Sequence, residues 1–294
     1  MKILITGGSG FIGQYLNIEL SKENEILTQY YSHIGNCTQF NSIKCSITDY
    51  ALIEKIFNEF KPEIVIHTAS ISTAEKADKM NPAEVYEINV NATKFLAEQC
   101  EKHNSKLIYF STDLVYAGYH GSYLKEDAKL IPISLYAETK LMGEVKIQET
   151  FDNYLILRVA LNYGLGLYHS SSHFQKIYEE LKKGNEVKLF TDQYRSPISV
   201  IESARILSQI IKMDIRKEII NFAGKERLSR YQLGEKLCEV IGFNKELLKP
   251  ITMEEANAIY PVADVSLNVD KLLSYGIDIK STEESIKEII KYFK

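Results

Sequence analysis

The chain reads as a doubly wound α/β fold, a parallel sheet with helices on both faces, extended by a smaller C-terminal α/β lobe. Three features say so. Short apolar runs recur through the first half with almost no polar interruption, as strands buried on both faces require. Longer amphipathic stretches alternate with them, which calls for right-handed crossovers between parallel strands. A glycine-rich turn follows the first run directly.

In order, the strand-like runs are Lys2–Thr6 (KILIT), Glu25–Tyr30 (EILTQY), 63–67 (EIVIH), 106–110 (KLIYF) and Tyr154–Val159 (YLILRV). Between them, Tyr50–Phe60 is helical. The stretch 82–103 predicts one helix with Val85, Ile88, Ala92, Leu96 and Cys100 on a single stripe. After about Gly164 the pattern loosens. Helices are expected over 171–183, 200–213, 231–241 (capped by Ser229) and 282–293, with strands at 186–190 and Glu218–Phe222. The expected division is a first domain over 1–164 and a smaller lobe over 165–294, some of whose segments return to the first. Ligands favour such junctions.

Composition narrows the function classes. A chain of 294 residues, 45% hydrophobic and 25% charged, buries a substantial core unaided. Its formal charge of −4 offers no basic field for nucleic acid or an acidic membrane. No apolar run approaches the roughly 18 residues of a membrane span, and the N-terminus lacks a signal-peptide pattern. Cys37, Cys45, Cys100 and Cys238 show neither CxxC nor His-rich spacing. Reduced thiols in a cytoplasmic protein are expected, with no metal site.

Gly7, Gly10 and Gly13 follow strand KILIT and open the next helix. The first permits a tight turn, the second lets backbone N–H groups approach a pyrophosphate, and the third lets the helix pack against the sheet. The helix N-terminus adds positive potential. In this context the triplet predicts a Rossmann-type domain and a dinucleotide cofactor; a glycine turn without a ligand is the plain alternative. Chains that choose NAD place an acid about 20 residues on, against the ribose 2′-hydroxyl. Here Gln29-Tyr30-Tyr31-Ser32-His33 holds none. Ser32 or His33 could donate to a 2′-phosphate although no arginine clamps it, so NADP(H) is favoured over NAD(H).

Tyr136 and Lys140, in YAETK, stand four apart on one helix face. A phenol starts near pKa 10, and an ammonium beside it eases proton exchange near neutrality. Spacing alone proves little, because the chain has 19 tyrosines and Tyr178…Lys182 repeats it. Position separates the two pairs. Tyr136 comes 24 residues after Thr112, in Ser111-Thr112-Asp113 at the carboxyl end of KLIYF. Ligand crevices of α/β sheets lie there, so Thr112 can share a substrate oxygen with Tyr136. Tyr178 has no such partner and reads as a core-packing residue.

The ordered set of glycine turn, HTAS at 67–70, STD at 111–113 and YAETK at 136–140 resembles the extended short-chain dehydrogenase/reductase superfamily. More narrowly, VYEINVNAT (85–93), IYFSTDLVYAG (108–118), YAETKLMGE (136–144), DQYRSP (192–197) and YPVADVSLNVDKL (260–272) are similar to the dTDP-4-dehydrorhamnose reductase family. The resemblance implies NAD(P)H-dependent reduction of a keto group on a nucleotide-linked 6-deoxysugar. Thr112 would bond the substrate oxygen, Tyr136 would protonate it, and Lys140 would hold the nicotinamide ribose and tune Tyr136. Phe11 and Ile12 would present backbone to the pyrophosphate. Ala69, Ser70 and Ser72 would line the cofactor cleft, Ser46 and Ile47 would fall at the adenine, and Asp113 would sit beside the sugar.

Four departures stand out. Ser46 replaces an acid near the adenine, Leu161 an aromatic of the sugar pocket, Tyr260-Pro261 an Arg-Pro, and Leu267-Asn268 a Leu-Asp. The alternatives are a regulatory subunit resembling that of methionine adenosyltransferase, and an NDP-sugar epimerase or dehydratase. Leu114 after Asp113, where dehydratases carry Glu, argues against the last. A nucleotide sugar is the expected partner, with a homodimer as a possible assembly.

Other residues carry plainer readings. Arg195 either reads a substrate diphosphate bidentately or faces outward. Glu126-Asp127 reads as a solvated loop, His67 as a hydrogen-bonded structural residue, and Asn89 as a tie between helix and strand. Lys182-Lys183 reads as a helix end meeting water.

Overall fold

The computed structural model describes residues 1–119 and 121–293. Seven parallel strands form its central sheet: β1 (Lys2–Thr6), β2 (Glu25–Tyr30), β3 (Ser42–Lys44), β4 (Ile64–His67), β5 (Lys106–Thr112), β6 (Tyr154–Val159) and β7 (Glu218–Phe222). Their order across the sheet is β7-β6-β5-β4-β1-β2-β3. The chain therefore builds outward from β1 to β3, then restarts at β4 on the other side of β1. That reversal opens a crevice beyond the carboxyl ends of β1 and β4, where open α/β sheets take their ligands.

Strand periodicity divides the core into two layers. Ile3 and Ile5 of β1 pack with Leu16 and Leu20 of helix Phe11–Leu20 and with Ile206, Leu207 and Ile210 of helix Val200–Ile210. Leu4 points the other way, to Ile53, Ile56 and Phe57 of helix Tyr50–Phe60 and Leu96 and Cys100 of helix Ala92–Lys102. Covering both faces is what permits uninterrupted apolar strands. Each fully buried aliphatic side chain contributes ~1.5–3 kcal/mol, so these two layers hold the frame of the crevice. A third cluster joins Phe174, Ile177, Leu181, Leu189, Leu233, Leu237, Leu248, Ile286 and Ile289 in the C-terminal part. Two segments beyond residue 164, helix Val200–Ile210 and β7, belong to the central sheet and its cover.

Most strand and helix expectations are met within a few residues. Ser229 caps helix Arg230–Ile241 through a reciprocal bond with Gln232. The expected continuous helix over 82–103 is broken: Pro82–Tyr86 leads into a π-helical turn, Glu87–Asn91, before Ala92–Lys102. Such turns are common at functional sites. This one carries Asn89, which accepts from the Ile71 N–H (2.8 Å) and donates to the Thr139 hydroxyl (3.0 Å). Strand β3 was not anticipated, because Ser42–Lys44 lies half-exposed at the sheet edge and has no apolar run. Glu126 is not simply solvated. Its carboxylate accepts from the Asn221 N–H of β7 (2.9 Å), and its carbonyl accepts from Arg158 (2.8 Å).

All four cysteines are free and buried. Among the described residues, no helix is long and apolar enough to cross a membrane.

Candidate active site

A cleft of about 1360 Å³ runs over the carboxyl ends of β1, β4 and β5. At one end stands the glycine turn. Gly7 takes φ +69°, a left-handed conformation, and a Cβ there would lie 2.7 Å from the Ala69 nitrogen. A Cβ on Gly13 would lie 2.3 Å from the Gly7 carbonyl oxygen, so this glycine lets the helix close on the turn and does not itself line the cleft. Gly8, outside the spacing argument, is required by space: its Cβ would fall 1.7 Å from Thr28 Oγ1.

Helix Phe11–Leu20 begins here with no side-chain cap and no acid in its first turn. Its leading N–H groups and positive dipole end suit an anionic pyrophosphate. The donors, the glycines and the volume of the cleft thus fit a dinucleotide. Gly7, Gly10, Phe11, Ile12, Ser32, His33, Ser46, Ile47, Ala69, Ser70 and Ser72 all line this part. Sequence reasoning missed Gln29, which accepts from the Gly7 N–H (2.9 Å) and donates to the Cys45 carbonyl (2.5 Å). The signal was a lone amide in the apolar run EILTQY.

The hydroxyl end is built by β5 and helix Leu135–Thr150. Thr112 closes β5; its hydroxyl donates to Asp113 Oδ1 (3.2 Å) and accepts from the Leu114 N–H (3.2 Å). Ser134 caps the helix through the Ala137 N–H, which sets Tyr136 in the first turn beside Thr112. Both Thr112 and Tyr136 line the cleft. Burial pushes the Tyr136 phenol up to about 12, a hydrogen bond with Thr112 opposes this, and Asp113 reinforces it. The phenol is therefore a protonated donor at neutral pH.

Lys140 lies one turn further along and does not line the cleft. Its amine sits 4.0 Å from the centre of the Tyr109 ring, and burial lowers its pKa to about 7 against the pull of Glu144. The groups that act on the phenol besides burial are Thr112 and Asp113, which pull in opposite directions. His67 bonds Thr6 (2.7 Å) and Thr93 (3.0 Å). Burial, with Lys140 adding to it, holds its ring near pKa 3, so it is a neutral structural residue.

Beyond Thr112 the cleft becomes cationic. Arg195 is buried and faces inward, with Nε 3.6 Å from Asp113 Oδ2 and Nη1 donating to the carbonyls of Tyr194 (2.7 Å) and Val262 (3.2 Å). The outward-facing alternative does not occur. Arg230 joins it, donating to Gln193 (3.0 Å); burial and the charge of Arg195 lower its pKa to about 10. Burial raises the Asp113 carboxyl although Arg195 opposes it. Two guanidiniums facing one carboxylate form a site suited to a further anion. Arg230 was missed because, directly after a helix cap, it reads as a surface residue. Leu161 lines the cleft as well, while Tyr178 packs on Phe243 with ring centres 5.7 Å apart, away from the cleft.

The sheet order and the cleft beyond the carboxyl ends of its strands are those of the extended short-chain dehydrogenase/reductase class. The chain belongs to the RmlD substrate-binding domain family, whose family model matches residues 1–294. It is 26% identical over 311 residues to dTDP-4-dehydrorhamnose reductase of Aggregatibacter actinomycetemcomitans, covering 99% of each chain. It is also 27% identical over 285 residues to methionine adenosyltransferase 2 subunit beta of Xenopus laevis, covering 94% of this chain and 83% of that one. The crystal structure of a dTDP-4-dehydrorhamnose reductase from Clostridium acetobutylicum matches with a TM-score of 0.85 at 27% identity, over 100% of this chain and 99% of that one.

Proposed function

We propose that this protein is an oxidoreductase that reduces the keto group of a nucleotide-linked 6-deoxysugar, using a nicotinamide dinucleotide. One observation carries the reading: the Tyr136 phenol and the Thr112 hydroxyl meet in the cleft between the glycine turn and the arginine pair. When bound, the cofactor supplies the hydride. The start of helix Phe11–Leu20 holds its pyrophosphate, Ser46 and Ile47 take the adenine side, and Lys140 is assigned to the nicotinamide ribose. Thr112 orients the substrate carbonyl. Tyr136, kept protonated by burial, gives its proton to the carbonyl oxygen as charge develops there. Arg195 and Arg230 receive the sugar-linked diphosphate, and Asp113 fixes Arg195 between them. The absence of an acid over 29–33 favours NADP(H).

The beta-subunit relative supports a second reading, a dinucleotide-binding subunit without turnover. Reduced cofactor incubated with a 4-keto-6-deoxysugar nucleotide separates the readings. A reductase oxidises one cofactor per sugar; a binding subunit oxidises none, and that result rejects the reductase.

A further inference from the structure

We propose that His33 and His169 form a two-part imidazole clamp for the 2′-phosphate of the cofactor, so that pH sets how strongly the cleft prefers NADP(H) to NAD(H). The proposal rests on the reading of the cleft as a dinucleotide site and adds a residue, His169, from the far side of it. The two rings lie 4.5 Å apart between centroids, inclined by 33°, and both line the cleft mouth beside Ser32. His33 follows β2, the strand after which such folds read the ribose 2′-position. His169 arrives on the segment after the short strand Asn162–Tyr163.

That segment is fastened. The Gln14 side-chain amide donates to the Leu167 carbonyl (3.2 Å) and the Ser170 hydroxyl (3.1 Å), and Gln39 donates to the Tyr168 hydroxyl (2.7 Å). His169 is thus held by hydrogen bonds on both of its flanks, against the His33 ring. Its surroundings favour an anion. Segments 31–39 and 165–173 contain no Asp, Glu, Lys or Arg; their titratable companions are Tyr31, Cys37, Tyr168 and His173. The nearby cleft wall leads to Asp49, whose carboxylate is engaged by the Leu52 N–H (3.1 Å). The neighbouring β3 ends in the exposed Lys44. Arg230 and Lys176 act on His173.

Two imidazoliums this close repel each other, and His169 is held below the usual histidine range by desolvation and by His33. A phosphate dianion offsets that repulsion and turns both rings into charge-assisted donors. Proton uptake and 2′-phosphate binding are then linked, while a cofactor lacking that phosphate does not sense the pair.

Calorimetric titration of NADPH and NADH against the whole protein, from about pH 6 to about pH 8.5 across the histidine range, tests this. The readout is the ratio of the two dissociation constants, which cancels general damage to the fold. The ratio should favour NADPH by about three- to tenfold more at the acid end. The 2′-phosphate itself gains a proton near pH ~6, so His169→Gln and His33→Gln are measured alongside. Each should flatten the wild-type trend to that of the phosphate alone. A wild-type ratio that does not change with pH, or a His169→Gln protein that keeps the full trend, overturns the clamp. If both dinucleotides bind without discrimination, the clamp falls and the cofactor cleft stands. If neither binds, both fall.

Discussion

Arg158 and Glu144 form a bidentate ion pair whose side chains are 3% and 1% exposed. Arg158 Nη2 lies 2.8 Å from Glu144 Oε2, and Nε reaches both carboxylate oxygens at 3.2 Å. Glu144 also accepts the hydroxyl of Ser111, the residue before Thr112. The pair thereby locks the end of β5 to the helix that carries Tyr136. Removing one partner strands a buried charge, so Arg158→Met should cost about 3–5 kcal/mol. The double variant Arg158→Met/Glu144→Met should lose far less than the two single losses added together. Urea unfolding measures all three, and strict additivity would show that the pair is not coupled.

Tyr136→Phe removes the proposed proton donor while keeping its ring. Turnover should fall by about 10²–10⁴-fold, with cofactor affinity nearly unchanged. Steady-state rates and a cofactor titration of the same preparation decide it. Near-normal turnover would assign the proton to another group.

The arginine pair should act on binding more than on chemistry. A bond from a charged donor is worth about 1.5–3 kcal/mol, so Arg195→Ala or Arg230→Ala should raise the sugar-nucleotide KM by roughly 10- to 100-fold. Turnover at saturation should change much less. Arg195→Lys should restore little, because a point charge cannot copy the guanidinium fork that holds Asp113 and two carbonyls. An unaltered KM in both alanine variants removes the diphosphate assignment.

Gly13→Ala and Gly10→Ala separate crowding from mere presence in the turn. The added methyl would meet main-chain atoms at 2.3 Å on Gly13, against a single contact at 3.1 Å on Gly10. Backbone cannot move aside cheaply, so Gly13→Ala should destabilise by about 1–3 kcal/mol or more and abolish dinucleotide binding. Gly10→Ala should cost clearly less stability. Thermal unfolding with and without cofactor checks the ranking, and equal losses would refute it.

Two buried groups contribute to the pH dependence of stability in the same direction. His67 titrates near 3 in the folded chain against an ordinary 6.5, so between those values only the unfolded chain takes up the proton. Its contribution is complete above pH ~6.5 and fades as the pH falls. Lys140 titrates near 7 against an ordinary 10.5, so here too the unfolded chain binds more protons. The lysine's contribution to stability should therefore rise with pH above neutrality, by up to about 1.4 kcal/mol per pH unit, with the raised cysteine thiols acting against it in the thiol range. Lys140→Met should flatten the rise in urea unfolding measured at several pH values. A variant with the wild-type slope would contradict the buried, depressed amine.

Strand identities were legible in the sequence because the strands are buried on both faces. Apolar runs such as KILIT and YLILRV match their strands residue for residue. Strand β3 was illegible for the opposite reason: at the sheet edge it needs no apolar pattern. The π-turn at Glu87–Asn91 was hidden because the inserted residue leaves the apolar stripe nearly intact, while the turn's purpose, the Asn89 bonds to Ile71 and Thr139, is a long-range relationship. In the site, the hydroxyl pair could be read from position along the chain. The inward course of Arg195, the arrival of Arg230 and the seating of the Lys140 amine over Tyr109 depend on packing between distant segments, which no local spacing encodes.

The account stands or falls on hydride delivery into the cleft. Cofactor carrying deuterium at its transferable position should be incubated with a 4-keto-6-deoxysugar nucleotide, and the sugar product examined by mass spectrometry. One deuterium on the product, with one cofactor oxidised for each, is the expected result. Unlabelled sugar, or labelled cofactor recovered still reduced after the sugar has changed, would contradict it.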